Sequence, residues 1–223
     1  MKYFRTIKIH AYILLGLFNM AAVADEDATS YTINAAISSE YVFRFVSQTQ
    51  EKAAVSAGVD WESDSGFHFG VWGSNVDFQD NARLEIDFYG GYQFEIKNGV
   101  SFDFGLIDYE YFNDLANDNI VEGYGSVAKG PASLTVYHDL RNHDYYWVEG
   151  SFSKEFGAVS TNLTFGTLLP DKGDGYQGWS LSASYGSGEI NYSLTAFGTN
   201  NEGRVAFGKL ADTRLVFSVD TSF

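Results

Sequence analysis

Few residues in this chain have the types and spacing that catalysis needs. There is no cysteine, so thiolate chemistry and disulfides are both excluded. Beyond the N-terminal stretch the histidines are His68, His138 and His143. His143 and Ser153, with Asp139 and Asp144 nearby, make the one arrangement that hints at a hydrolase. The pattern puts His143 in a polar loop and Ser153 near the far end of the following strand. At about 3.4 Å per residue they lie tens of ångströms apart, beyond hydrogen-bond reach. No nucleophile motif surrounds either residue, His68 reads as solvated near a strand end, and no His/Asp group has metal-ligand spacing. Neither an enzyme nor a bound cofactor or metal is expected.

Carboxylates are far more abundant, and their positions are regular. Glu40, Asp60, Glu62, Glu85, Asp87, Glu95, Asp103, Glu149 and, in a weaker pattern, Glu122 alternate with apolar residues, as do Arg44 and Arg214. Trp72 and Trp147 share their phase. A two-residue period places one set on each face of a strand. If the charged faces enclose a common space, its acid excess disfavours anions and favours cations. Arg44 and Arg214, at the ends of the first and last strands, would face Glu85 and Asp87 across a constriction. The plainer reading pairs each Arg with a nearby carboxylate such as Glu40.

The same rhythm runs through the chain. Tyr31 to Phe43 alternates as a first strand, and further runs follow around Val55–Trp61, Phe67–Val71, Leu84–Ile96 and Val100–Leu106. Gly-rich Ile120–Ala128 precedes Ala132–Val136, Tyr146–Phe152, Val159–Phe165, Trp179–Tyr185 and Ile190–Ala196. Leu215, Phe217, Val219 and Phe223 carry the apolar phase of the last strand and are the expected assembly signal. That makes about twelve strands, and amphipathic helix patterns are absent. Every second connection is a tight turn: Ser63–Gly66, Lys97–Gly99, Lys129–Pro131, Phe156–Ala158 and Gly186–Gly188. The others, such as Asn113–Asn119, Pro170–Gly175 and Gly198–Asp212, are longer and mostly polar. Both prolines fall in connections.

The N-terminus supplies an address. Lys2, Arg5 and Lys8 precede the apolar run Ala11–Met20, and Ala22-Val23-Ala24 has the small-x-small pattern of signal cleavage. Residues 1–24 are therefore expected to be a cleaved signal peptide and 25–223 a single domain. Removing the three basic residues takes the formal charge from −15 to −18, which argues against nucleic acid as a partner. With no apolar run of spanning length after the signal, these features point to an all-β, antiparallel up-and-down transmembrane β-barrel. The aromatics Trp61, Phe67, Phe94, Phe156, Trp179, Tyr185 and Phe223, near strand ends, fit interface girdles.

Ser38–Gln48 (SSEYVFRFVSQ), Phe67–Phe78 (FHFGVWGSNVDF), Leu84–Tyr92 (LEIDFYGGY) and the closing DTRLVFSVDTSF resemble the TorF-family porins of Gram-negative bacteria. The likeness extends over most of the chain after residue 24, and its specific part is the first third. Phe45 stands where that family usually has Gly, and Lys52-Ala53 where it commonly has Pro. The resemblance implies an outer-membrane location and a porin-like role. The expected function is passive diffusion of small hydrophilic solutes or ions with weak cation preference. Outer-membrane lipid, lipopolysaccharide and the barrel-assembly machinery are the expected partners. The alternatives are a closed barrel with a structural or binding role and, more remotely, an outer-membrane hydrolase.

Overall fold

The computed structural model describes residues 30–79, 81–112, 119–142 and 144–223. The proposed signal peptide, His143 and residues 113–118 of the Asn113–Asn119 loop lie outside them. The described residues form fourteen strands: β1 (Ser30–Ser38), β2 (Val42–Phe43), β3 (Val46–Ser47), β4 (Ala54–Glu62), β5 (Phe67–Asn75), β6 (Leu84–Ile96) and β7 (Val100–Phe112), then β8 (Ile120–Lys129), β9 (Ala132–Asp139), β10 (Tyr145–Phe156), β11 (Val159–Pro170), β12 (Gln177–Ser187), β13 (Ile190–Thr199) and β14 (Arg214–Ser222). Twelve of them close into one antiparallel barrel, each pairing with its neighbour along the chain, and β2 and β3 form a separate hairpin. Closure runs through β1 and β14, from Asn34 opposite Ser222 to Ser38 opposite Ser218. Phe223 and Ile33 then exchange both backbone bonds at 2.9 and 3.0 Å. Closure matters energetically because it leaves no unpaired sheet edge.

The alternation read from the sequence sets the two faces of the wall. Ile33, Val59, Val71, Phe88, Leu181, Leu194 and Phe217 point outward and are exposed. Ring pairs strengthen the outer surface near the tight turns: Trp61 stacks on Phe69 at 4.6 Å and Phe94 on Phe102 at 5.4 Å. Inward positions on β10–β14 are mostly small and polar, among them Ser151, Asn162, Thr164, Ser180, Ser182, Ser193, Thr195 and Ser218.

Three features differ from the sequence reading. The first strand stops at Ser38, and residues 40–49 turn into the barrel instead of extending its wall. The Gly198–Asp212 connection holds a short helix, α1 (Asn201–Phe207), followed by a 3-10 turn (Gly208–Ala211). Asn200 caps α1 by accepting from the Gly203 N–H at 3.2 Å, a local signal that a search for amphipathic periodicity passes over. Pro170 ends β11 opposite Tyr145 instead of lying in the loop.

The two faces should respond oppositely to charge. Leu181→Arg, on the outer face, is expected to cost about 2–4 kcal/mol in a bilayer if it lies near the midplane. Its inward neighbour Ser182→Arg should cost much less. Denaturant unfolding of both variants in lipid vesicles checks the assignment.

A candidate plug and its anchoring residues

The segment after β1 keeps an alternating pattern through Tyr41 and Phe43, yet it cannot continue the wall. Arg44 and Phe45 have φ of 44° and 70° and form the two-residue turn of the β2–β3 hairpin, with Phe43 opposite Val46. A turn with two positive φ values matches the twist of a tight hairpin, and glycine or asparagine normally fills it. Here two bulky residues do so, at a cost of about 1–2 kcal/mol each. Gln50 and Glu51 at the hairpin's base are also left-handed, with φ of 54° and 61°. Such strain persists only where surrounding contacts over-determine it.

Those contacts come from most of the barrel wall. The Arg44 guanidinium donates to both oxygens of Glu122 on β8, at 2.8 and 2.9 Å, and the two side chains are 1% and 0% exposed. Glu122 also accepts from Tyr109 Oη at 3.0 Å and Tyr145 Oη at 2.6 Å. The guanidinium carbon lies 4.8–5.7 Å from the ring centroids of Phe43, Trp147, Tyr145 and Tyr137. Tyr176, in the β11–β12 loop, donates to the Arg44 carbonyl at 2.9 Å. Phe45 packs on Trp147 at 5.8 Å and lies over Gly178 and Gly166. A Cβ on Gly178 would meet the Phe45 ring at 2.1 Å, and one on Gly166 would meet Trp147 at 2.3 Å. The side-chain volume at Phe45 is thus accommodated by glycines on the facing wall.

The stem of the segment is fastened separately. Arg214 on β14 pairs with Glu40 at 2.8 Å, both side chains nearly buried. Tyr41 packs on Trp72 of β5 at 5.3 Å, and Phe43 on Tyr109 of β7 at 6.5 Å. The Asp77 N–H donates to the Gln48 carbonyl at 2.8 Å, and Lys52 Nζ lies 2.7 Å from Asp77. That ammonium holds the Asp77 carboxyl below its ordinary value. This exposed tether contributes at neutral pH and is lost only in strong acid. Taken together, residues 40–49 fill the barrel at the end carrying the longer loops.

The expected pore-lining residues fall into two layers. Asp60, Glu62, Glu95 and Asp103 face inward on the tight-turn side of the hairpin. Asp60 accepts from Asn34 at 2.8 Å and from Tyr89, and Asp103 meets His68 at 2.9 Å and Tyr124 at 3.1 Å. His68 is therefore a partner of Asp103, not a solvated rim residue. Glu40, Arg44, Trp72, Glu85, Asp87, Glu122 and Arg214 belong to the hairpin layer. Glu149 lies beside it and accepts from Trp147 Nε1 at 3.2 Å. Arg44 is on the plug and not on the wall, and with both arginines in ion pairs they do not form a free basic patch facing Glu85 and Asp87. Tyr109, Tyr145, Tyr176, Phe45 and the two glycines escaped the sequence reading. Glycines inside otherwise regular strands were the available signal, since they mark close approach by another group.

Of the histidine–serine arrangement, His143 lies outside the described residues; Ser153 donates to Asn162 at 3.5 Å, and His138 faces outward, stacked on Tyr146. Among the described residues no group of three or more His, Asp or Glu is placed to hold a metal ion.

A closed twelve-stranded antiparallel barrel with an apolar exterior and a polar interior is a porin-type fold. The chain belongs to the family described as "Bacterial protein of unknown function (Gcw_chp)", whose model matches residues 22–223. No curated protein matches the chain. Among solved structures it is similar to the KdgM porin, with a TM-score of 0.61 and 10% identity, covering 86% of this chain and 99% of that one. It is also similar to the NanC porin, with a TM-score of 0.57 and 8% identity, covering 87% and 99%. At these identities the likeness is one of fold.

Arg44→Met should test the anchor, because it leaves Glu122 as a buried charge without its guanidinium. The expected cost is about 3–5 kcal/mol, whether seen as global unfolding or as release of the hairpin to protease. Adding Glu122→Gln should recover most of it.

Proposed function

We propose that this protein is an outer-membrane, porin-like channel for small hydrophilic solutes, exported by a cleaved signal at residues 1–24. Its long-loop mouth is closed by the β2–β3 hairpin, and solute passes when the hairpin leaves. The observation that carries the reading is the contrast inside one closed barrel. The lumen is lined by hydroxyls, amides and carboxylates, while its mouth is filled by a separate, strained segment. The barrel fold shared with the KdgM and NanC porins and the TorF resemblance add support. The lumen acids Asp60, Glu62, Glu95 and Asp103 favour a weak cation preference, since like charges in one cavity raise the cost of an anion. On this reading the surroundings are outer-membrane lipid and lipopolysaccharide, reached through the barrel-assembly machinery.

The filling of the mouth also favours a second reading, a permanently closed barrel with a structural or binding role. A reversible lock separates the two. A Cβ on Gly178 would lie 2.9 Å from Phe45 Cβ, closer than the roughly 3.5–4.5 Å of a disulfide, so hairpin and wall must part by well under 2 Å to form one, and the chain has no cysteine of its own. Phe45→Cys/Gly178→Cys in a planar bilayer should be silent when oxidised. After reduction it should show discrete conductance steps, with a reversal potential on the cation side in a salt gradient. Silence in both states would favour the closed barrel.

A further inference from the structure

The tip of the hairpin is built for its contacts and against its own turn. Its two residues have φ of 44° and 70°, yet they are Arg44 and Phe45, where glycine or asparagine would turn without strain. Both side chains end in receptacles that the barrel supplies. Glu122 on β8 takes the guanidinium through both carboxylate oxygens, at 2.8 and 2.9 Å. Tyr109 on β7 and Tyr145 on β10 donate to the same carboxylate, so the wall itself helps to position it. Tyr137 on β9 and Tyr145 and Trp147 on β10 place ring centroids 5.1–5.7 Å from the guanidinium carbon. Trp147 is held in turn by its Nε1–H, which donates to Glu149 at 3.2 Å.

The chemistry of this cage is selective. A planar, weakly hydrated guanidinium suits a carboxylate enclosed by rings better than a compact, strongly hydrated ammonium does. Two further features adjoin the cage. Tyr176 Oη donates to the Arg44 carbonyl at 2.9 Å, a contact with the peptide group and not with a side chain. Next to it the Phe45 ring packs on Trp147 over Gly166 and Gly178, and Tyr176 packs on Trp147 at 5.7 Å. The barrel therefore offers, side by side, a guanidinium cage, a hydroxyl aimed at a carbonyl and an apolar shelf.

We propose that this receptacle is a solute site, that its solute is a short peptide carrying arginine followed by an apolar residue, and that Arg44-Phe45 is a built-in mimic which the solute displaces. The proposal rests on the channel reading above and names its solute class. A free peptide reaches the same contacts without the hairpin's left-handed turn. Peptide and hairpin exclude one another, so the peptide binds only barrels whose hairpin has left. Its apparent affinity is reduced by the fraction of barrels in that state, and whatever weakens docking tightens peptide binding. Beyond the hairpin the inward acids Asp60, Glu62, Glu95 and Asp103 favour the same positive charge.

Equilibrium dialysis of radiolabelled arginyl-phenylalanine amide against the protein in detergent micelles tests the site. Arg44→Met removes the mimic's guanidinium and keeps Glu122, so it should bind the amide about tenfold or more tighter than the wild type. Arg44→Met/Glu122→Gln should lose that gain. Phe45→Ala leaves Arg44 as competitor and should tighten binding by a smaller factor, which keeps the test usable if Arg44→Met fails to fold. Citrullyl-phenylalanine amide, with an uncharged urea in place of the guanidinium, should bind Arg44→Met more weakly by about tenfold or more. Equal affinity or no binding across wild type, Arg44→Met and Phe45→Ala would overturn the proposal. So would a gain that survives Glu122→Gln, or equal binding of the two amides. Binding is read in micelles, so its failure leaves the conductance test untouched. A barrel that binds the amide but stays silent in both redox states would overturn the channel reading instead.

Discussion

A guanidinium and a carboxylate buried together inside a barrel are expensive, and much of the long-loop end of this protein compensates for that cost. Arg44 and Glu122 are paired through two hydrogen bonds, and Tyr109 and Tyr145 donate to the carboxylate. Desolvating two such charges costs several kcal/mol per ion unless the geometry is good and the remaining lone pairs are met. Here both conditions hold, and rings of Phe43, Tyr137, Tyr145 and Trp147 surround the cation. Such a pair contributes modestly to stability but strongly to specificity of placement. One docked position satisfies Arg44, and that position puts Phe45 over Gly178 and Gly166.

This arrangement gives the barrel two differently built halves. Toward the tight turns the interior is a polar lumen whose carboxylates are partly solvated and locally hydrogen-bonded. Toward the long loops it is a packed layer of aromatic rings and ion pairs resembling the core of a soluble domain. The boundary between them passes near Trp72, Asp87 and Glu149. The strain at Arg44, Phe45, Gln50 and Glu51 is stored on the plug's side of that boundary, in the segment held mainly by tertiary contacts. The docked hairpin is thus stabilised by many contacts and opposed by its own backbone.

The barrel was legible in the sequence because its physics is local. Alternation reports which face a side chain takes, and Lys97-Asn98-Gly99 or Gly186-Ser187-Gly188 reports a tight turn without reference to anything distant. The plug was not legible, for the same reason. Tyr41 and Phe43 keep the two-residue period of β1, so the segment reads as a longer first strand. Arg44-Phe45 carries no glycine to announce a turn. What bends the chain inward is an ion pair between residues 78 apart and a ring seated on glycines more than 100 residues further on. Glu85 and Asp87 were recognisable as inward-facing acids. Their burial beneath Tyr41 depended on where the hairpin went.

The central claim is that residues 40–49 occupy the barrel's interior at the long-loop end. Cysteine accessibility tests it most directly, because any cysteine introduced is the sole thiol. Ser47→Cys places it at a buried plug position, 3% exposed, and Val205→Cys places it on α1 at 75% exposed. A charged, membrane-impermeant maleimide added to each variant in vesicles should modify the Val205→Cys thiol readily. The Ser47→Cys thiol should react far more slowly, until denaturant exposes both. Equal rates in the folded protein would contradict a docked hairpin and leave an open barrel in its place.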